Sequence, residues 1–371
     1  MTATEPVVPP ADTTPATEPV TAQVALILNP VKVADADALR ADLTRRCTEA
    51  GLGEPLVLET TAEDPGYSMA RRAVEAGARV VATAGGDGTV RAVAEGLTGT
   101  GVALAVVPQG TGNLLARNLG LPLDVDAALD AVLDGTDRRV DVGRLVNGTG
   151  SRPVAGNGSE EGTVFTIMAG AGFDAAMMRE APEGLKAAVG WPAYIVGGAR
   201  GMRRAHARVQ LCVDGGTPVQ ARVRTVLVGN LGKLQGGMDL LPDARPDDGL
   251  LDIALVAPRG PVGWVRLLFR GLSGRHQSND RTLRTWQGRE VEVVMHRAQP
   301  RQVDGDLVED GDRLSIRVEP GALVVRVPKT AQDAIDVTTS ADDGPGDGPG
   351  DGPVDGPVGD RPGGDGQAGP R

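Results

Sequence analysis

Between residues 24 and 107 short apolar runs alternate with stretches whose apolar residues recur every three or four positions. Val24-Ala-Leu-Ile-Leu28 is unbroken, as in a strand covered on both faces, and it ends at Asn29-Pro30. Over residues 34–50, Leu39, Leu43 and Cys47 stand at i, i+4 and i+8, which predicts an amphipathic helix. A second strand is predicted over 55–60, running out at Thr60-Thr61, and a second helix over 66–76. The β-branched run from Val80 to Thr83 gives a third strand. After Gly85-Gly86-Asp87-Gly88-Thr89, the spacing of Val90, Val93, Ala94 and Leu97 gives a third helix. Residues 102–107 are a fourth buried strand that enters Gly110-Thr111-Gly112-Asn113 and another helix, and residues 124–134 form a short one. Strand and helix in strict alternation imply parallel βαβ units, and right-handed crossovers gather the loops after each strand on one sheet edge.

From Arg138 onward the pattern changes to short alternating strands joined by Gly-rich turns, which predicts an antiparallel sandwich. The expected fold is therefore an N-terminal α/β domain with a parallel sheet over 23–140, followed by a C-terminal antiparallel β-sandwich over 141–328. Within the second domain, residues 147–162 read as an exposed hairpin loop. Residues 185–204 and 262–269 read as helices. The first carries Trp191 and Tyr194 ahead of Arg200, Arg203 and Arg204, a pattern that suits either a packed helix with a solvated end or one resting on a membrane. Asp304-Gly305 between alternating residues signals a hairpin, and residues 322–327 are expected to close the sandwich.

Composition adds further constraints. Hydrophobic residues make up 40% of the 371 but aromatics only 2%, so the cores must be built from Ala, Val, Leu and Ile. The net charge of −11 lies almost wholly in the tails: residues 1–22 hold three acids and no base, and residues 331–371 hold nine Asp against two Arg. The folded part is thus nearly neutral, and an acidic chain does not exclude an anionic ligand or membrane surface. Both tails, 1–22 and 329–371, are too polar and too rich in Pro, Thr, Gly and Asp to fold and are expected to be disordered. No run is long enough to cross a bilayer and no leader is expected, so the chain reads as cytoplasmic. Cys47 and Cys212 lie far apart, as do the three histidines, which argues against a zinc site.

The glycine turns carry the chemistry. At Gly85-Gly86 backbone N–H groups can approach an anion without Cβ interference, with the positive end of a helix behind them, so a phosphate is the natural guest. Asp87 suits a magnesium ion held directly or through water. No Lys follows, so this is not a P-loop, and the spacing is not the dinucleotide fingerprint. Gly, Asp and Thr are also ordinary material for a turn and helix cap. The second loop, at Gly110, Thr111 and Asn113, narrows the choice, since two such loops on neighbouring strands suit a triphosphate. Asn113 can serve the turn through an Asx-type bond or reach the ligand.

Together the two motifs, GGDGT and PxGTxNxxAR, resemble the diacylglycerol kinase catalytic-domain family of lipid kinases, over residues 23–328. The resemblance implies ATP and Mg²⁺ as cofactors, with Asn29, Pro30, Thr60 or Thr61, Ala84, Gly85, Gly86, Asp87, Gly88, Thr89, Val90 and Thr111 on nucleotide-binding positions. It implies a second magnesium held by the Asp248 carboxylate and the carbonyls of Arg245 and Leu250, in a run matching the family's GNxxxxGGG, PxAxxxDG element. Asp141 falls near the domain junction and Asp174 in a Gly-Phe-Asp-Ala element on the lipid side, both counted with the substrate site. The catalytic base falls in the last hairpin, where the family's DGE is Asp304-Gly305-Asp306, so that Asp306 replaces a glutamate with a side chain one methylene shorter. Asp304, Glu309 and Asp310 are alternatives. Leu114 stands where many members carry an aspartate. The implied reaction phosphorylates the primary hydroxyl of diacylglycerol or a sphingoid base, by a protein resting peripherally on an anionic membrane and binding no nucleic acid; a homodimer is compatible. Two rivals stand beside it: a soluble-substrate kinase of the NAD kinase type, and a catalytically idle nucleotide- or lipid-binding module.

Overall fold

The structure, a computed structural model, describes residues 23–146, 162–172, 206–234, 239–258, 263 and 282–329. All of them fall in one compact unit, Met1–Gln332. The two tails, the 147–161 part of the expected loop, the helix expected at 185–204, most of the one at 262–269, and Asp174 lie outside the described residues.

The N-terminal part follows the predicted alternation: β1 (Val24–Leu28), α1 (Ala36–Glu49), β2 (Leu56–Glu59), α2 (Tyr67–Glu75), β3 (Val80–Gly85), α3 (Asp87–Leu97), β4 (Ala103–Pro108), α4 (Leu114–Leu119) and α5 (Val125–Asp134). The strands are parallel in the order β2-β1-β3-β4, with Val24 beside Val80 and Val80 beside Ala103. Alternation along β1 explains why it is apolar throughout. Ala25 and Ile27 face a core shared with Ala70, Ala73, Val93 and Leu97 of α2 and α3, whereas Leu26 and Leu28 face Leu39, Leu43 and Cys47 of α1 and Leu129 of α5. Each fully buried leucine contributes about 1.5–3 kcal/mol, so this two-sided cover is what holds the sheet. Small residues let the helices close up: a Cβ on Gly96 would lie 2.7 Å from that of Ala70. Asp35 and Asp124 start α1 and α5 by accepting the N–H groups of Ala38 and Ala127.

The second part is antiparallel: β5 (Thr136–Leu145), β6 (Thr163–Phe165), β7 (Met168–Gly172), β8 (Ala207–Val213), β9 (Val219–Val223), β10 (Thr225–Gly229), β11 (Leu251–Val256), β12 (Leu283–Gly288), β13 (Glu290–Val303) and β14 (Asp306–Val327). Its core gathers Phe165, Val209, Leu211, Val228, Ile253, Val293, Leu314 and Ile316. Phe165 lies so close over Gly143 that a Cβ there would meet its ring at 2.0 Å.

One expectation is corrected. Residues 322–327 do not close the sandwich; Val324 and Val325 pair in parallel with Ala103 and Leu104 of β4 and add a fifth strand to the α/β sheet. β14 thus runs through both parts, with β5 antiparallel beside it from Ile316 to Val327 and a register break between Glu319 and Leu323. Gly321 sits in that break at φ +57, a backbone conformation costly for any residue with a side chain. The division expected at 140/141 falls inside β5, a continuous strand.

Candidate active site

Two glycine loops meet at the carboxyl edge of the parallel sheet. Gly85 is beside Pro108 in register, and the Gln109 N–H reaches the Gly85 carbonyl at 3.3 Å. A Cβ on Gly110 would lie 3.0 Å from the Gly86 Cα, so the loops touch through bare backbone. A Cβ on Gly85 would lie 2.7 Å from that of Thr89, so this position too needs glycine. Gly86 begins α3 without a side-chain cap, and the Val90 N–H returns to the Gly86 carbonyl. Thr111 is exposed on the same edge.

The neighbouring strand ends complete this wall. The Asn29 N–H donates to the Ala84 carbonyl at 2.8 Å and its Nδ2 to Thr89 Oγ1 at 3.3 Å, which ties the end of β1 to the first turn of α3. Pro30 is exposed beside it. Thr60 is buried and donates its N–H to the Leu28 carbonyl, while Thr61 is exposed and its Oγ1 accepts from the Asp64 N–H. Asn113, at φ 46, bonds Gly110 twice, accepting its N–H at 3.0 Å and donating to its carbonyl at 2.8 Å. The turn-forming role of Asn113 is therefore filled.

Asp87 joins the loops: its Oδ1 accepts the Leu114 N–H at 2.6 Å, and a Cβ on Gly112 would sit 2.4 Å from its Oδ2. Burial pushes its carboxyl above the ordinary range, against the pull of backbone donors at Leu114 and Asn113 and the charge of Arg117. Each carboxylate oxygen has two lone pairs, so Asp87 keeps room to ligate a cation shared with phosphate oxygens. Among the described residues no group of three or more His, Cys, Asp or Glu side chains is assembled for a metal.

Facing this wall is the hairpin between β13 and β14. Asp304 and Gly305, at φ 46 and 92, form the two-residue turn. Asp304 points inward, where its carboxylate accepts the N–H groups of Thr166, Ile167 and Met168 at 2.7, 2.9 and 2.8 Å and the Thr166 hydroxyl at 3.0 Å. Burial pushes its pKa up while those donors pull it down. So occupied, it is not available to a substrate. Asp306 points the other way, with its side chain 48% exposed and its Oδ2 3.8 Å from where a Gly88 Cβ would be. Arg91 of α3 donates to that oxygen from Nε at 3.1 Å and Nη2 at 2.8 Å. Glu309 and Asp310 lie further along β14, where Arg301 Nε takes the Glu309 carbonyl.

Sequence reasoning passed over Arg91 and Glu95. Both are buried, one turn apart on α3, with Arg91 Nη1 and Glu95 Oε2 at 3.5 Å. Burial outweighs Arg91 and the Val164 N–H and pushes Glu95 up to about 7. The available signal was a pair of charges inside an otherwise apolar, buried helix.

The third cluster lies beside the break in β14. Asp141, expected on the substrate side, is buried. Its carboxylate accepts the N–H groups of Gly249 at 2.6 Å and Gly321 at 2.7 Å, and its own N–H reaches the Pro246 carbonyl at 2.6 Å. It clamps the 245–250 loop. Burial raises its pKa, as do the charges of Asp247 and Asp248, against the two backbone donors. In the same loop Asp248 Oδ1 accepts the Leu250 N–H at 2.9 Å and the rest of its side chain is exposed. Arg245 of this loop is exposed and Leu250 half-buried.

A family model for the diacylglycerol kinase catalytic domain matches residues 23–145, and one for the YegS C-terminal NAD kinase beta sandwich-like domain matches residues 167–327. A Pseudomonas aeruginosa protein named probable lipid kinase YegS-like is 34% identical over 283 residues, 74% of this chain and 86% of that one. One of the same name from Cronobacter sakazakii is 29% identical over 312 residues, 82% of this chain and 95% of that one. A solved diacylglycerol kinase from Bacillus anthracis shares the fold, with a TM-score of 0.62 at 18% identity over 84% of this chain and 98% of that one. Two touching glycine loops, a facing carboxylate and these matches over both parts of the molecule lead to one assignment: the chain belongs to the YegS-like lipid kinases and is an enzyme of that family.

Proposed function

We propose that the protein transfers the γ-phosphoryl group of ATP, with Mg²⁺, to the primary hydroxyl of a membrane lipid such as diacylglycerol or a sphingoid base. The observation that carries this reading is the half-exposed Asp306, set against Gly88 of the first glycine loop. The triphosphate would lie along Gly85 to Thr89 and Gly110 to Thr111, with Asn29, Pro30, Thr60, Thr61, Ala84, Val90 and Asn113 lining or shaping the nucleotide site. Asp87 and phosphate oxygens would hold Mg²⁺, which offsets the charge of the polyphosphate. A second Mg²⁺, at Asp248 and the carbonyls of Arg245 and Leu250, would stiffen that loop.

Phosphoryl transfer asks little covalent help of a protein beyond positioning, charge neutralisation and a proton acceptor. Asp306 accepts the lipid hydroxyl proton as the hydroxyl oxygen bonds to the γ-phosphorus and the bond to the β,γ-bridging oxygen breaks. Phosphorylated lipid and ADP leave. The lipid would enter from an anionic membrane surface on which the protein rests, with Asp174 on the lipid side. Among the described residues no helix is long and apolar enough to cross a membrane.

Labelled ATP offered with vesicles containing diacylglycerol, sphingosine or neither, and separately with NAD, tests the reading. Label is expected in a lipid and to vanish when Mg²⁺ is chelated. Transfer to NAD, or ATP binding without transfer to any lipid, would overturn it.

A further inference from the structure

We infer that Arg91 is a positioning residue for phosphoryl transfer: by holding Oδ2 of Asp306 it leaves Oδ1 as the oxygen open to the acceptor hydroxyl. The inference rests on the functional reading above and adds to it the group that places the base.

Three observations carry it. The first is geometric. Both Arg91 donors, Nε and Nη2, converge on the single oxygen Oδ2, at 3.1 and 2.8 Å, and no described residue donates to Oδ1. Two charge-assisted bonds hold Oδ2 more firmly than one would, and with Oδ2 held the side chain has little freedom to turn Oδ1 away.

The second is the asymmetry of burial. Arg91 is 4% exposed and the Asp306 side chain 48%. A buried guanidinium is costly unless paired, so the arginine is the fixed member and the aspartate the one that is held. The groups facing Arg91 are Glu95 on its own helix and Asp304 and Asp306 on the hairpin, while the charge of Arg144 on β5 also acts on Glu95.

The third is the element Arg91 stands on. Asp87, Gly88 and Arg91 belong to one helix, with Arg91 one turn beyond the glycines. Gly88 and Arg91 are three residues apart and share a helix face. The helix that presents its first turn to the phosphates therefore also holds the base, across a gap of 215 positions in sequence. This matters because misplacing a reacting group by an ångström is enough to cost about a hundredfold in rate. The shorter reach of aspartate, relative to the family's glutamate, is met here by an anchor on the phosphate side.

Arg91 could instead merely neutralise the buried Glu95, and the experiment separates the two roles. In the full-length protein, kcat and KM for ATP are measured with dioleoylglycerol and with sphingosine in phosphatidylglycerol vesicles, for Arg91→Met, Arg91→Lys, Asp306→Asn and the Arg91→Met/Asp306→Asn double variant. Single-turnover label transfer quantifies the slow ones. Arg91→Met is expected to lower kcat by about 30- to 100-fold with KM for ATP within about twofold, but to cost less than about twofold once Asp306 is Asn, since the two act as a unit. Arg91→Lys keeps the charge facing Glu95 but lacks the fork, so an intermediate kcat at unchanged melting temperature is expected, and this variant carries the test if the Met variant fails to fold. A wild-type kcat in either Arg91 variant, equal losses in the two backgrounds, or a loss confined to KM for ATP would overturn the role of Arg91. Wild-type protein that phosphorylates neither lipid would overturn the functional reading, and this inference with it.

Discussion

The two walls of the candidate site are made of different material. The α/β wall is mostly backbone: Gly86 and Gly110 touch where side chains are missing, strand register sets the loops beside each other, and Asp87 ties them through the Leu114 N–H. The sandwich wall offers one carboxylate, Asp306, and its place depends on side chains that reach across the fold: Asp304 holding the turn after β6, and Arg91 holding Asp306 itself. A wall of main chain can lose a side chain and keep its shape. A wall hung on buried side chains should lose stability and turnover together.

The largest effect should come from Asp304→Ala. It leaves three buried N–H groups and a hydroxyl without an acceptor and puts alanine at φ 46. With each orphaned donor costing about 1–3 kcal/mol, a net loss of roughly 4 kcal/mol is expected in urea unfolding, together with loss of lipid phosphorylation. A variant that loses activity but unfolds at the wild-type midpoint would show that the hairpin does not depend on this clamp.

Asp87→Asn is the counterpart on the other wall. Asparagine can still accept the Leu114 N–H through its Oδ1, so the two loops stay joined while the charge is lost. Stability should change by less than about 1 kcal/mol, and kcat should fall by about a hundredfold or more, with a weaker dependence on Mg²⁺ concentration. A stability loss as large as that of Asp304→Ala would erase the contrast between the walls.

The same contrast explains what could be read in the chain. Strand-length runs, helical spacing and glycine pairs are local signals, and they carried the βαβ order and the meeting of the Gly85 and Gly110 loops, because parallel crossovers leave few alternatives. The antiparallel character of the second part was legible in its short alternating strands. The passage of β14 into the parallel sheet was not: Ala322 to Val327 is as apolar as a parallel strand, but so is a sandwich core strand, and only the register with β4 separates them. Arg91 with Asp306 and Asp304 with Thr166 lie 215 and 138 positions apart, so no periodicity links them. Asp304 and Asp306, two positions apart, look alike in sequence and differ only because the two-residue turn sends one inward and the other toward Gly88.

Glu95 gives a smaller effect that sharpens the comparison through pH. Its pKa is raised by burial from 4.5 to about 7, so between these values the folded state holds a proton the unfolded chain has lost. Wild-type stability should therefore fall as pH rises from about 4.5 through about 7, by roughly 1–3 kcal/mol. Asp252, raised to about 6, shares part of that window, so the readout is the difference from Glu95→Gln. The stability of the variant relative to wild type should climb across the interval and level off above it. A flat difference would mean that the Arg91 charge already compensates Glu95 and that the buried seam beneath Asp306 does not titrate.

The smallest effect concerns the joint between the walls. Asn118 of α4 donates from Nδ2 to the Lys233 carbonyl at 2.9 Å and accepts the Lys233 N–H on Oδ1 at 3.0 Å, a backbone-like pair linking the second glycine loop's helix to the segment after β10. Both groups are partly exposed and water can replace part of what is lost, so Asn118→Ala should cost only about 1 kcal/mol, or about 2–4 °C in melting temperature. The informative measurement is local. Because α4 is short and one end of it is held by Asp87, amide exchange in residues 114–119 should quicken far more than in α3, whose packing against α2 and β6 is untouched. Equal quickening in both helices would mean that the backbone wall is not rigid by itself but borrows its order from the sandwich.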